Sequence, residues 1–297
     1  MYKVKIYAAG SGGMLGEAIS NELKSKFDLK MSDLVPNKFC KNKLDFRNFN
    51  NYLKDVSEYK PDFLFHIGAL TDLEYCEINP SEAYVTNTLS AENAVIIANK
   101  LDIPLIFIST AGIFDGKKEK YDDWDIPNPL SHYGRSKYLA ENYIKNNCKK
   151  YYIFRAGWMM GGGPEIDKKF INKIFKQLKD GQLELNIVDD KIGTPTYTYD
   201  FINNLIKVIE TEFYGVYNMV CNGDASRYEV CEEMLTLLNI NNKIKLNKVA
   251  SDYFSKQYFA KRPKSEALIN KKLNLRSLNY MRDWKICLNE YINKFFI

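Results

Sequence analysis

Short apolar runs alternate with longer amphipathic stretches through the first half of this 297-residue chain. Residues 4–8, 29–33, 63–67, 105–109 and 151–155 are brief apolar runs bounded by turn residues, and they predict strands. Between them, 15–26, 49–59, 81–100 and 131–145 carry apolar residues at three- and four-residue spacing and predict helices. Such alternation implies βαβ units, hence an α/β fold of Rossmann type: a doubly wound, mostly parallel sheet. Past residue 157 the pattern changes. Gly161-Gly162-Gly163-Pro164 breaks the chain, 168–178 predicts a helix, and 189–196 is turn-like. The expectation is a Rossmann domain over 1–156 and a smaller C-terminal lobe over 157–297, with a helix near 200–211 returning to the core.

Composition adds exclusions. Hydrophobic residues at 45% and charged residues at 27% suit an ordinary globular core. The net charge of +5 is spread along the chain without a block of basic residues, which argues against nucleic acid as a partner. No apolar run reaches the roughly 18 residues of a membrane span. The start, Met1-Tyr2-Lys3-Val4-Lys5-Ile6-Tyr7, alternates like a strand and enters a glycine loop, so it reads as fold rather than signal peptide. Six scattered cysteines without a CxxC pair, and only two histidines, predict reduced thiols, no metal site and a cytoplasmic protein.

Gly10-Ser11-Gly12-Gly13-Met14-Leu15-Gly16 follows the first strand and opens a helix. Gly10, Gly13 and Gly16 make GxxGxxG: a tight turn, a close approach of backbone to a pyrophosphate, and close helix–sheet packing. The helix N-terminus adds free N–H groups and a positive dipole. A dinucleotide is therefore expected here. Asp33 ends the second strand and can accept from an adenosine ribose, favouring NAD, whereas Lys38 and Lys41 nearby favour the extra phosphate of NADP; the choice between NADH and NADPH stays open. Asp45 is a second acid that could face the adenine, with a helix N-cap as the alternative.

Tyr133-Gly134-Arg135-Ser136-Lys137 is a YxxxK, and on a helix its phenol and ammonium share one face. A free tyrosine titrates near about 10, and bringing it to about 7 would take roughly 4 kcal/mol of differential interaction with a neighbour such as the ammonium. Ser109-Thr110 closes the strand Leu105-Ile106-Phe107-Ile108, which puts a hydroxyl at a strand's carboxyl end, in the same crevice. Thr110, Tyr133 and Lys137 together with the glycine loop make a catalytic set.

These residues resemble an extended short-chain dehydrogenase/reductase, and within it the dTDP-4-dehydrorhamnose reductase family. The resemblance runs through Pro61-Asp62, Ala69-Leu70-Thr71-Asp72, Glu74 to Pro80, Asn87 and Ile113-Phe114-Asp115-Gly116. It continues through Arg155 with Trp158, Gly193-Thr194-Pro195-Thr196, Asp200, Arg262-Pro263-Lys264-Ser265, and Leu278 to Leu288 with Trp284. It implies reduction, by NADPH or NADH, of the C4 ketone of a nucleotide-linked 4-keto-6-deoxy sugar, in surface polysaccharide biosynthesis. Tyr133 would donate the proton, Thr110 would hold the same oxygen, and Lys137 would hold the nicotinamide ribose and lower the tyrosine pKa. Met14, Leu15 and Ala69 join the glycines, Asp33 and Asp45 around the cofactor. Thr71, Trp158, Thr196 and Arg262 fall to the nucleotide-diphosphate sugar, Arg262 through its fork of donors or else as a structural ion pair.

Two departures stand out. After Thr110 the family carries Asp-Tyr where this chain has Ala111-Gly112, and the 161–163 segment is richer in glycine. Ala111 and Gly112 cannot do acid–base work, which argues against dehydration. Epimerisation would need a further pair, for which Cys76 and His132 are the candidates, against packing and loop or cap roles. A non-catalytic regulatory subunit of the same fold is the remaining alternative. The sugar, its nucleotide carrier, the product stereochemistry and the oligomeric state, a homodimer included, are left open.

Overall fold

The computed structural model describes residues 3–297, so Met1 and Tyr2 of the strand-like start lie outside the described residues. From β1 (Lys5–Ala9) the chain passes through α1 (Met14–Leu23), β2 (Asp28–Asp33), β3 (Asn42–Lys43), α2 (Phe49–Tyr59) and β4 (Phe63–His66). Then come α3 (Leu73–Ile78), α4 (Pro80–Tyr84), α5 (Ser90–Leu101), β5 (Leu105–Thr110), β6 (Lys120–Tyr121), α6 (His132–Asn147) and β7 (Tyr151–Ala156). The C-terminal half runs β8 (Trp158–Met160), α7 (Gly163–Ile166), α8 (Phe170–Lys179), β9 (Glu184–Val188), β10 (Ile192–Gly193), β11 (Pro195–Tyr197), α9 (Thr198–Ile209) and β12 (Gly215–Asn218). It closes with β13 (Ala225–Ser226), α10 (Arg227–Leu237), β14 (Lys245–Val249), β15 (Ser265–Leu268), α11 (Lys271–Leu275) and α12 (Trp284–Phe295).

Seven strands form one parallel sheet in the order β12-β7-β5-β4-β1-β2-β3. Both faces are covered, as in doubly wound folds. Along β1, Ile6 and Ala8 enter the core on one side while Tyr7 and Ala9 enter the core on the other. The strand order reverses between β1 and β4, and a crevice opens there at the carboxyl ends. The doubly wound expectation holds.

The two halves interleave. β12, past residue 157, pairs with β7 in the main sheet, and α9, where a helix near 200–211 was expected, packs on α1, with Tyr199 donating to Glu17 at 2.9 Å. In exchange β6 joins β15, β10 and β13 in a small second sheet. The 189–196 segment, expected as turn, contains β10 and starts β11, because β11 finds a partner in β8. The helix expected over 81–100 is interrupted by a π turn at Val85–Leu89. That turn places Asn87 between two elements: its side chain accepts from Leu70 N–H at 2.8 Å and donates to Ser136 Oγ at 3.0 Å. A loop after β4 is thereby tied to α6, the helix that carries the YxxxK.

Candidate active site

The crevice is a cleft of about 1870 Å³ running from the glycine loop past the end of β5 to α10. Gly10 adopts φ +75°, and a Cβ on it would stand 2.1 Å from Gly68 Cα. On Gly16 a Cβ would stand 1.8 Å from the Ser11 carbonyl oxygen. Both positions therefore require glycine. A Cβ on Gly13, in contrast, would meet nothing within 4 Å, so the loop leaves open space at the N-terminus of α1. That cradle fits a pyrophosphate. Asp33 accepts from Gly12 N–H at 2.7 Å and Val35 N–H at 3.1 Å, so it shapes the loop as well as facing the cleft. Met14, Leu15 and Ala69 line the same end. Asp45 is bound by Arg47 through two contacts of 2.7 and 2.8 Å, which hold its carboxyl below the usual range. The N-cap of α2 is Asn48 instead. Lys38 reaches across the cleft to Glu165 at 2.6 Å.

Thr110, Tyr133 and Lys137 meet at the middle of the cleft. Thr110 closes β5, and its Oγ accepts from Gly112 N–H at 3.1 Å, so its own hydrogen serves as a donor, directed toward the Tyr133 phenol. Ser131 caps α6 by accepting from Gly134 N–H at 3.1 Å and so fixes the turn that presents Tyr133. The helix is anchored to β7 by Arg155 and Glu141, a pair 3% and 0% exposed with contacts of 3.0 and 2.8 Å.

The electrostatics differ from the sequence expectation. Tyr133 is pushed up to about 12: burial raises it, the Thr110 hydroxyl bond works the other way, and the Glu266 charge adds to the rise. Lys137 is itself pushed down to about 7 by burial, with only distant support from Glu141, and its Nζ lies 3.9 Å from the centre of the Phe107 ring. A desolvated ammonium packed on a ring does little to stabilise a phenolate. Tyr133 is therefore a protonated phenol at neutral pH, which suits a proton donor.

The substrate-side expectations divide. Thr71 lines the cleft and its hydroxyl accepts from Lys169 Nζ at 3.1 Å. Trp158 also lines it, resting against Gly193, where a Cβ would stand 2.2 Å from the ring. Thr196 does not reach the cleft; it is fully buried and donates to the Thr194 carbonyl at 3.2 Å. Arg262 spends its fork on Glu74, at 2.7 and 2.9 Å. Two residues escaped sequence reasoning. Arg227 stacks 3.6 Å from the Trp158 ring centre and forms no ion pair among the described residues, and burial draws its pKa down to about 10. Glu266 accepts from Trp158 Nε1 at 2.6 Å. The one local signal was Ser226-x-x-Glu229, a capping box that starts α10 and puts Arg227 in its first turn.

The other chemically capable groups, Cys76, His132 and His66, do not line the cleft. Cys76 is buried, with its thiol pushed up to about 11. His132 begins α6, its N–H donating to Glu77 at 2.7 Å and its ring meeting Tyr84 Oη at 3.1 Å. His66 is fully buried between Tyr52 and Ser90 and pushed down to about 3 by burial. Among the described residues no cluster is placed to hold a metal ion, and no helix is long and apolar enough to cross a membrane.

A family model described as the RmlD substrate binding domain matches residues 4–297. The chain belongs to the RmlD family of extended short-chain dehydrogenase/reductases. A solved dTDP-4-dehydrorhamnose reductase of Clostridium acetobutylicum is 33% identical with a TM-score of 0.89, covering 98% of this chain and 99% of that one. That of Bacillus anthracis, solved in complex with NADP, is 28% identical with a TM-score of 0.90 over 99% and 100%. The spore coat polysaccharide biosynthesis protein SpsK of Bacillus subtilis is 27% identical over 98% of this chain and 97% of its own. The RmlD match spans sheet, cleft and C-terminal segments alike.

Proposed function

We propose that this chain is an NAD(P)H-dependent nucleotide-sugar ketoreductase acting on the C4 ketone of a 4-keto-6-deoxy sugar, in the cytoplasmic supply of sugars for a surface polysaccharide. The observation that carries this reading is the meeting of Thr110, Tyr133 and Lys137 in a cleft whose other end is a pyrophosphate cradle. Family membership and relatives named for dTDP-4-dehydrorhamnose reduction support it.

The bound dinucleotide supplies the hydride. The chain supplies the rest. The Thr110 hydroxyl, oriented by the Gly112 N–H, donates to the carbonyl oxygen and stabilises the charge that grows there. Tyr133 transfers its phenolic proton to that oxygen, a contribution of roughly 10²–10⁴ in rate. Lys137 directs its donors at ribose hydroxyls, and such a bond would favour its charged form over the neutral one that burial favours. Beyond Trp158, Arg227 takes the diphosphate, because the Arg262 fork is already filled by Glu74.

The test is oxidation of NADPH and of NADH with a panel of 4-keto-6-deoxy sugars on dTDP, UDP, GDP and CDP. Turnover with one carrier is expected. Silence across the panel with cofactor binding intact would refute the ketoreductase and leave an epimerase or a regulatory subunit.

A further inference from the structure

One carboxylate of the cleft, Glu266, lies beside Gly112 and bonds to Trp158. It is half-buried, forms no ion pair among the described residues, and sits at the indole N–H edge of Trp158, whose ring face Arg227 covers. Oε2 is committed to Trp158 Nε1 at 2.6 Å, and Oε1 faces Gly112. A Cβ built on Gly112 would lie 3.4 Å from Thr110 Oγ and 3.6 Å from Glu266 Oε1. Both oxygens therefore border the space that the missing side chain of Gly112 leaves. A side chain at 112 would enter that space.

An ionised carboxylate is an acceptor only, and Oε2 already has its donor in Trp158. Oε1 has no donor among the described residues and opens to the cleft, where a hydroxyl of the ligand can supply one. Thr110 holds the oxygen being reduced, so the ligand atoms facing Glu266 belong to the sugar ring near that carbon. In a 4-keto-6-deoxyhexose one neighbour of C4 carries the methyl group and offers no donor, whereas the other, C3, carries a hydroxyl.

We infer that Glu266 binds the C3 hydroxyl of the sugar across the gap left by Gly112. This selects substrates that carry a hydroxyl there. The inference rests on the ketoreductase reading above and adds the feature of the sugar that the site reads.

Calorimetric binding of a dTDP-linked 4-keto-6-deoxyhexose and of its 3-deoxy counterpart to the NADP-loaded protein tests it. Glu266→Ala is expected to weaken binding of the hydroxyl-bearing sugar roughly 10- to 100-fold, the loss of one charged hydrogen bond. It should leave the 3-deoxy sugar within about threefold. Glu266→Gln has a single carbonyl oxygen, so with that oxygen on Trp158 its amide N–H faces the sugar and can donate to the hydroxyl oxygen; its affinity for the hydroxyl-bearing sugar should lie between those of wild type and Glu266→Ala. Equal losses for both sugars, or no loss, would overturn the inference by making Glu266 a support for Trp158 alone. Wild-type protein that binds NADP but neither sugar would refute the ketoreductase reading itself, and the inference with it.

Discussion

Replacing Lys137 by methionine exchanges a buried ammonium for an apolar side chain of nearly the same length. In the fold this lysine titrates near 7, against 10.5 for a free one. That difference corresponds to about 5 kcal/mol of penalty on the charged form. Below pH 7 both the folded and the unfolded chain are protonated, and the whole penalty falls on the fold. Between 7 and 10.5 the unfolded chain holds the extra proton, so stability rises with pH; above 10.5 both forms are neutral and the penalty is gone. The ring contact with Phe107 returns up to about 2 kcal/mol. Lys137→Met without cofactor is therefore expected to be more stable than wild type by roughly 3 kcal/mol at pH 7. Urea unfolding followed by circular dichroism would show a higher midpoint with unchanged slope. The two midpoints should converge toward pH 10, and turnover should be lost at every pH. A gap that stays constant from pH 7 to 10, or a less stable variant at pH 7, would refute the view that burial depresses Lys137.

Tyr133→Phe is expected to keep its affinity for NADPH while turnover falls roughly 10²–10⁴-fold; undiminished turnover would remove Tyr133 from proton transfer. Arg227→Ala should raise KM for the nucleotide sugar at least about tenfold with little change in melting temperature, as loss of a charged contact to the diphosphate. Arg262→Ala should do the reverse, lowering the melting temperature because Glu74 loses its partner; a KM effect confined to Arg262→Ala would return the diphosphate to that residue. Gly16→Ala forces a methyl group onto the Ser11 carbonyl, so NADPH affinity measured by fluorescence should fall at least about tenfold; wild-type affinity would contradict the tightness of the loop.

What the sequence by itself determined is local. Short apolar runs bounded by turn residues, and the period-3.6 pattern between them, located β1, β5, β7, α2 and α6 to within a residue or two, because run length and helix pitch act over a few neighbours. The glycine spacing and the YxxxK were legible for the same reason: each is a short-range geometry, one turn of loop or one turn of helix. Even the start of α10 was written in a capping box.

Tertiary structure decided how distant segments meet. β12 joins the sheet because β7 offers an unpaired edge, a fact carried by no four-residue stretch around Gly215. Arg262 and Arg227 look equally free in the sequence, yet Glu74, far along the chain, neutralises one and leaves the other open. Thr196 and Trp158 both lie in segments that resemble the family, and only pairing of β11 with β8 turns the first inward while the second lines the cleft. The Lys137 and Tyr133 shifts also belong to this class. Spacing put the two groups on one helical face, but desolvation depends on everything packed around them, and here it outweighs their mutual attraction.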